Sequence, residues 1–347
     1  MRIAQVGPLY ESVPPKLYGG TERVVAALTD ALVAMGHDVT LFASGDSVTT
    51  ARLVPCAPQS LRLDPACIDQ LAHHIVMLER VSELADRFDL IHYHIDYLHF
   101  PLSRRLGVPH VTTLHGRLDI PDLVPLYREF REMPVVSISD AQRAPLPWLN
   151  WQGTVYHGLP VSKLHLHETP GRYLAFIGRI SPEKGIDQAI GMARRSGVPL
   201  KIAAKIDKVD QAYFDATIRP LIDGTSVELI GEITDREKDD FLGNALALAF
   251  LIDWPEPFGL AMIEAMACGT PVIAFRCGSV GEVIADGVTG IIVDTDDEAV
   301  AAVARAPELD RRACRAEFER RFDARRMADE YLTIYRSLAE TGRRTAA

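Results

Sequence analysis

The sequence predicts an α/β protein made of parallel sheets with helices on both faces, arranged as two successive domains. Three observations carry this. Short apolar runs of strand length alternate with stretches of helical period. The alternation breaks once, over Gly158–Gly171, and then restarts with the same rhythm. A chain of 347 residues is also long enough for two domains, each with its own core.

Taken in order, Ile3–Val6 reads as a short buried strand, followed by a long loop, Gly7–Gly20, rich in Pro and Gly. Thr21–Met35 has the spacing of an amphipathic helix, and Gly36 is placed to stop it. Asp38–Ala43 completes a βαβ unit. Further strands are expected at Leu90–Tyr93, Val108–Leu114, Val135–Ile138 and Thr154–Tyr156. After the break come a strand at Tyr173–Ile177, a loop at Gly178–Gly185 and a helix at Ile186–Arg195 closed by Gly197. Leu200–Ala203, Val227–Ile230, Leu246–Leu251 and Val272–Phe275 continue the second sheet. The charged tail Arg311–Leu338 keeps a helical pattern, with Phe318, Phe322, Met327, Tyr331, Ile334 and Tyr335 at its apolar positions.

The formal net charge of -10 argues against a nucleic-acid partner, which needs a basic face. No apolar run reaches the ~18–20 residues that cross a bilayer, so no integral membrane segment is expected. Met1–Val6 enters a strand-like run at once and does not read as a signal peptide. The five cysteines lack metal-type pairing and read as reduced thiols in a cytoplasmic protein.

In open parallel sheets, ligands sit beyond the carboxyl ends of the strands. Three such loops carry suggestive residues. Gly178–Gly185 places Arg179 and Lys184 near a helix N-terminus, a combination of fixed cations and exposed N–H groups that suits a diphosphate. Lys205, just after the next strand, adds a third cation. Taken alone, Arg179 and Lys184 read more simply as surface charges. The second loop, Trp254–Pro271, leads through two prolines to Phe258-Gly259 and a short helix ended by Gly269 and Pro271. Glu256 and Glu264 form an E-x7-E pair able to reach different parts of one extended ligand. Glu264 stands among apolar neighbours and needs hydrogen-bond donors, which sugar hydroxyls would supply. Otherwise Glu256 caps a helix and Glu264 is solvated. The third loop, Leu17–Glu22, sets Gly19-Gly20 at a helix start, where backbone N–H groups can meet a phosphate. Gly7 and the residues after it do not give the spaced G-x-G-x-x-G fingerprint of a nicotinamide-binding unit.

At these residues the sequence resembles glycosyltransferase family 4, a retaining family with the two-domain GT-B fold. The match spans nearly the whole chain. It is strongest over Pro255–Gly290, with E-x7-E, Gly278, Glu282 and Asp286–Gly290, and next strongest in Gly178-Arg179…Glu183-Lys184-Gly185. The resemblance implies two Rossmann-like domains with parallel sheets facing across a cleft. Residues 1–160 would form the acceptor side, completed by a crossing C-terminal helix over 325–347, and 161–324 the nucleotide-sugar donor domain. It implies that Arg179 and Lys184 hold the donor diphosphate, Glu256 the transferred sugar and Glu264 the ribose. It places the backbone of Phe258, Gly259 and Leu260 against sugar and phosphates, Gly231-Glu232 beside the base, and His115 near the reacting sugar. As an isolated residue, His115 reads more simply as structural.

Two departures stand out. Where many members of the family carry a glycine-rich loop, this chain has Ala203-Ala204-Lys205-Ile206-Asp207, which makes Lys205 a replacement phosphate contact. Asp253-Trp254 stands where the family often has Ser. The expected reaction moves a hexosyl group from a nucleotide diphosphate sugar, a UDP-sugar on family frequency, to an acceptor hydroxyl. No resident cofactor and no metal are expected, the cationic side chains replacing the ion. A soluble acceptor is favoured because no basic, apolar membrane-facing cluster is evident. Two alternatives stay open: a sugar-nucleotide epimerase of the same architecture, and a non-catalytic nucleotide-sugar binder. The sequence does not specify an oligomeric state.

Overall fold

The computed structural model describes residues 1–346, with side chains through Thr341. The chain divides into two compact units: residues 1–158 with the last helix, and Leu159–Asp323.

The first unit runs β1 (Arg2–Val6), α1 (Gly20–Ala34), β2 (Asp38–Ser44), β3 (Arg52–Ala57), α2 (Gln70–Glu83), β4 (Leu90–Tyr93), α3 (Phe100–Leu106), β5 (His110–Thr113), α4 (Leu123–Glu129), β6 (Val135–Ser137), α5 (Asp140–Arg143) and β7 (Trp151–Thr154). All seven strands are parallel, in the order β3-β2-β1-β4-β5-β6-β7. Side chains alternate across the sheet. Ala4, Val6, Ile91 and Tyr93 enter an apolar cluster with Met77 and Val81 of α2. Gln5 and His92 alternate with them and face the opposite way.

The second unit runs β8 (Leu174–Arg179), α6 (Ile186–Ser196), β9 (Leu200–Lys205), α7 (Gln211–Tyr213), β10 (Val227–Gly231), α8 (Asp235–Gly243), β11 (Ala247–Phe250), α9 (Leu260–Ala267), β12 (Val272–Phe275), α10 (Val280–Val283), β13 (Gly290–Val293), α11 (Asp296–Arg305) and α12 (Arg311–Arg321). Its six strands are parallel in the order β10-β9-β8-β11-β12-β13. Local signals set the helix ends. Thr234 and Glu237 close a capping box on α8, and Gly197 ends α6 in the left-handed conformation. Leu174, Phe176, Ile190, Ile202 and Leu251 lie in the core between sheet and helices.

Several elements differ from the sequence expectation. The strand expected at Thr154–Tyr156 lies three residues earlier, and β3 and β13 were not anticipated. Pro55 interrupts the apolar pattern of β3, which is tolerated because β3 is an edge strand. The tail is two helices. It breaks at Phe322-Asp323, where the Leu159 N–H donates to the Phe322 carbonyl at 2.8 Å and Leu159 bridges Asp323. The final helix, α13 (Ala324–Ala346), then packs against α1 and β4 of the first unit. Residue 347 of the expected helix lies outside the described residues.

Glycines separate by context. A Cβ on Gly185 would lie 1.9 Å from the Leu251 carbonyl oxygen, at a φ of +68°. Gly191, inside α6, has nothing within 4 Å of its would-be Cβ. Gly185→Ala is therefore expected to destabilise the protein by at least about 1–3 kcal/mol. Gly191→Ala should stabilise it by about 0.5–1 kcal/mol. Thermal and denaturant unfolding of the two variants checks both signs.

Candidate functional site

A crevice forms in a doubly wound sheet where the strand order reverses, because the loops leaving the two neighbouring strands diverge. That point falls between β8 and β11 in the second unit and between β1 and β4 in the first.

In the second unit, Pro182–Lys184 make a single 3-10 turn, and Gly185 lets this loop lie against the end of β11. The turn aims Lys184 at the β11 loop. Its Nζ is 2.5 Å from Glu256 Oε2 and 5.2 Å from the centroid of the Trp254 ring. Arg179 ends β8 and donates to Glu183 at 2.6 Å, with Asp210 at 3.5 Å and Asp207 at 3.8 Å around the same guanidinium. Lys205 ends β9 and pairs with Asp207 at 3.0 Å. This rim sets three cations, Arg179, Lys184 and Lys205, against four carboxylates, Glu183, Asp207, Asp210 and Glu256.

The β11 loop is held from below. Ser279 donates its N–H to the Glu256 carbonyl at 3.2 Å and its hydroxyl to the Phe258 carbonyl at 2.8 Å. A Cβ on Gly278 would come within 2.5 Å of the Glu256 carbonyl oxygen. Gly259, at φ +80°, then turns the chain into α9, leaving buried Phe258 behind it and Leu260 as the first helical residue. No side chain caps α9 and no acid stands in its first turn, so its N-terminal partial charge is uncompensated by its own residues. One turn further, Glu264 Oε1 meets Lys238 Nζ at 2.6 Å, both side chains being under 10% exposed (7% and 8%). Gly231 ends β10 at φ +92° beyond a register shift, and Glu232 beside it is exposed.

In the first unit, Gly19 precedes α1 and Gly20 opens it, with no side-chain cap. A Cβ on Gly19 would lie 2.7 Å from that of Pro15. Glu22, in the first turn of α1, is buried, and desolvation raises its carboxyl above the usual range. His115 follows β5. Its Nε2 is 2.9 Å from His94 Nδ1, and its ring stacks on His157 at 5.2 Å. Around them the sheet face under α13 is a polar layer. His92 bonds the Tyr335 hydroxyl at 2.7 Å and Thr113 Oγ1 at 2.8 Å, and Thr113 bonds the Tyr331 hydroxyl at 2.7 Å.

Two family models match this chain. Residues 162–322 match Glycosyl transferases group 1, and residues 18–153 match Glycosyltransferase Family 4. The chain belongs to glycosyltransferase family 4. This family 4 glycosyltransferase is 25% identical over 339 residues to a D-inositol 3-phosphate glycosyltransferase of Arthrobacter sp., covering 80% of this chain and 78% of the relative. It is 28% identical over 363 residues to a glycogen synthase of Mycobacterium tuberculosis, covering 89% and 86%. Among solved structures it resembles a sucrose-phosphate synthase of Thermosynechococcus elongatus, with a TM-score of 0.79, 18% identity and 98% and 99% coverage. It also resembles the Anabaena HepE protein in complex with UDP and glucose, with a TM-score of 0.73, 19% identity and the same coverage. The glycosyltransferase therefore has the GT-B fold, with two Rossmann-like parallel-sheet domains.

Against the sequence reading, the second unit brings Lys184 and Glu256 into contact and links Arg179 to Lys205 through Asp207. Carboxylates compensate both Arg179 and Lys184. One physical expectation needs correction. Glu264 has its counter-charge inside the protein, where Lys238 rather than a sugar hydroxyl offsets burial. Lys238 went unnoticed because it sits in the charged run Asp235-Arg236-Glu237-Lys238, which reads as a solvated helix face. Gln5, His92 and His94 went unnoticed because only strand pairing sets them side by side.

Removing one partner of a buried ion pair strands the other. Lys238→Ala is expected to cost about 3–5 kcal/mol of stability. The double change Lys238→Met with Glu264→Leu should recover most of that loss. Denaturant titration of the single and double variants reads the difference.

Proposed function

We propose that this glycosyltransferase moves a hexosyl group from a UDP-sugar to a hydroxyl of a soluble acceptor, with retention at the anomeric carbon. The second unit binds the donor and the first supplies the acceptor side. The observation that carries the reading is the Lys184–Glu256 contact at the β8/β11 crevice, beside the uncapped start of α9. A UDP complex of a structural neighbour supports the choice of nucleotide.

The donor diphosphate lies along the rim cations. In the free protein these face four carboxylates, so the incoming diphosphate replaces Glu183, Asp207 and Asp210 as their partner. Lys184 released from Glu256 turns to the phosphate, and Glu256 accepts hydroxyl protons of the transferred sugar. The N–H groups of Phe258, Gly259 and Leu260 face sugar and phosphate at the positive end of α9. Glu264, held by Lys238, meets the ribose, and Gly231-Glu232 flank the base. For Gly19-Gly20 and His115, the family resemblance supports a phosphate contact and a sugar contact respectively.

In the chemical step, the anomeric C–O bond to the diphosphate breaks and its electron pair stays on the phosphate oxygen. Arg179, Lys184 and Lys205 stabilise that charge without a metal ion. The acceptor oxygen bonds the anomeric carbon from the face the diphosphate leaves, and its proton passes to the departing phosphate.

Lys184→Ala and Arg179→Ala are each expected to lower kcat by about two to three orders of magnitude, the usual loss for one preorganised charge contact. Steady-state release of nucleoside diphosphate measures it, and an undiminished rate removes the assigned role. A thermal-shift panel of UDP-, GDP- and ADP-sugars should show the largest rise with a UDP-sugar, because a ligand of the folded state raises its unfolding midpoint. A larger rise with either other nucleotide overturns the choice of base.

A further inference from the structure

The polar layer of the first unit contains a chain of hydrogen bonds whose proton order follows from the orientation of the Gln5 amide. The Gln5 side-chain N–H donates to the Tyr335 hydroxyl at 3.1 Å, and that hydroxyl is 2.7 Å from His92 Nδ1. Gln5 Oε1 is 2.8 Å from His94 Nε2. His94 Nδ1 is 2.9 Å from His115 Nε2. At the end of the chain, His115 Nδ1 is buried and has no hydrogen-bond partner among the described residues.

Burial holds His92 and His94 far below the ordinary histidine range and pushes His115 down to about 3, so all three rings are neutral. A neutral imidazole has one N–H and one bare nitrogen, so each bond dictates the next. Tyr335 accepts from Gln5 and passes its single proton to His92 Nδ1. Gln5 Oε1 can only accept, so His94 carries its hydrogen on Nε2. His94 Nδ1 is then bare and takes the hydrogen from His115 Nε2. This leaves a lone pair on His115 Nδ1. The Gln5 amide sets the direction of the whole chain: flipped end for end, it would place the His115 hydrogen on Nδ1 instead.

We propose that Gln5 and His94 are positioning residues that lock His115 as its Nε2–H tautomer, so that Nδ1 accepts a hydrogen bond from a hydroxyl of the transferred sugar. The second half rests on the reading above that His115 meets that sugar. A buried acceptor without a partner is costly, and a ligand hydroxyl satisfies it. The same lone pair repels phosphate and carboxylate oxygens, so His115 discriminates the sugar from the diphosphate. Phosphate selection is left to the cations of the second unit.

The test is ring-nitrogen NMR of the full-length, 15N-histidine-labelled protein, with peaks assigned by single histidine substitutions. The expected spectrum shows His92, His94 and His115 all protonated at Nε2. A hydrogen on His115 Nδ1 overturns the proposal, and this reading comes from the wild-type protein, the histidine variants serving only for peak assignment. In Gln5→Leu the chain loses its fixed end. His115 should then populate both tautomers, and kcat should fall about 10–100-fold, the usual effect of an outer-shell orienting contact. KM for the donor should change little. A purely Nε2–H His115 in Gln5→Leu overturns the role of Gln5. If the spectra are as expected but His115→Ala keeps full turnover, the sugar contact fails and the tautomer assignment stands.

Discussion

The close approach of two loops in the second unit sets the terms for everything around it. The turn after β8 lies against the backbone at the end of β11, with no room for a side chain between Gly185 and Leu251. Lys184 is thereby delivered to Glu256, and the bare start of α9 opens beside them. Gly278 repeats the device beneath the β11 loop, where backbone meets backbone at Glu256. The rim is thus positioned by main-chain contacts, which have few degrees of freedom, while its long charged side chains remain free to change partners. A rigid base under exchangeable charges suits the proposed role, in which the site grips a diphosphate and then releases it.

Much of this was legible in the sequence, for identifiable reasons. Strands buried on both faces leave short apolar runs, and the loops that matter are punctuated by Gly and Pro. Gly178–Gly185 and Pro255–Gly259 therefore stand out before any coordinates. What escaped notice depends on pairing across the sheet. Gln5 and His92 are far apart in the chain and become neighbours only in the β1–β4 register. β3 escaped because Pro55 breaks its pattern, and Lys238 because a helix rich in acids and bases conceals which of its charges turns inward. The carboxylates around Arg179 follow the same rule. Asp207 and Asp210 read as loop polarity until the ends of β8 and β9 bring them to one guanidinium.

The two units handle burial of polar groups differently. The second unit carries most of its site ions at the rim and satisfies the deep pair of Lys238 and Glu264 internally. The first unit adds a layer of neutral groups, where imidazoles, an amide and hydroxyls satisfy one another. Neutral partners avoid the desolvation cost of charges and, because each has few donors, they impose direction.

That layer is closed by residues from both extremes of the chain, since Gln5 on the first strand meets Tyr335 on the last helix. During translation the first unit cannot finish its core until Tyr335 has left the ribosome, after every residue of Leu159–Asp323. The later-encoded unit is therefore the earlier to be complete. The nascent amino-terminal sheet has to wait with its histidine-lined face uncovered until the final helix arrives.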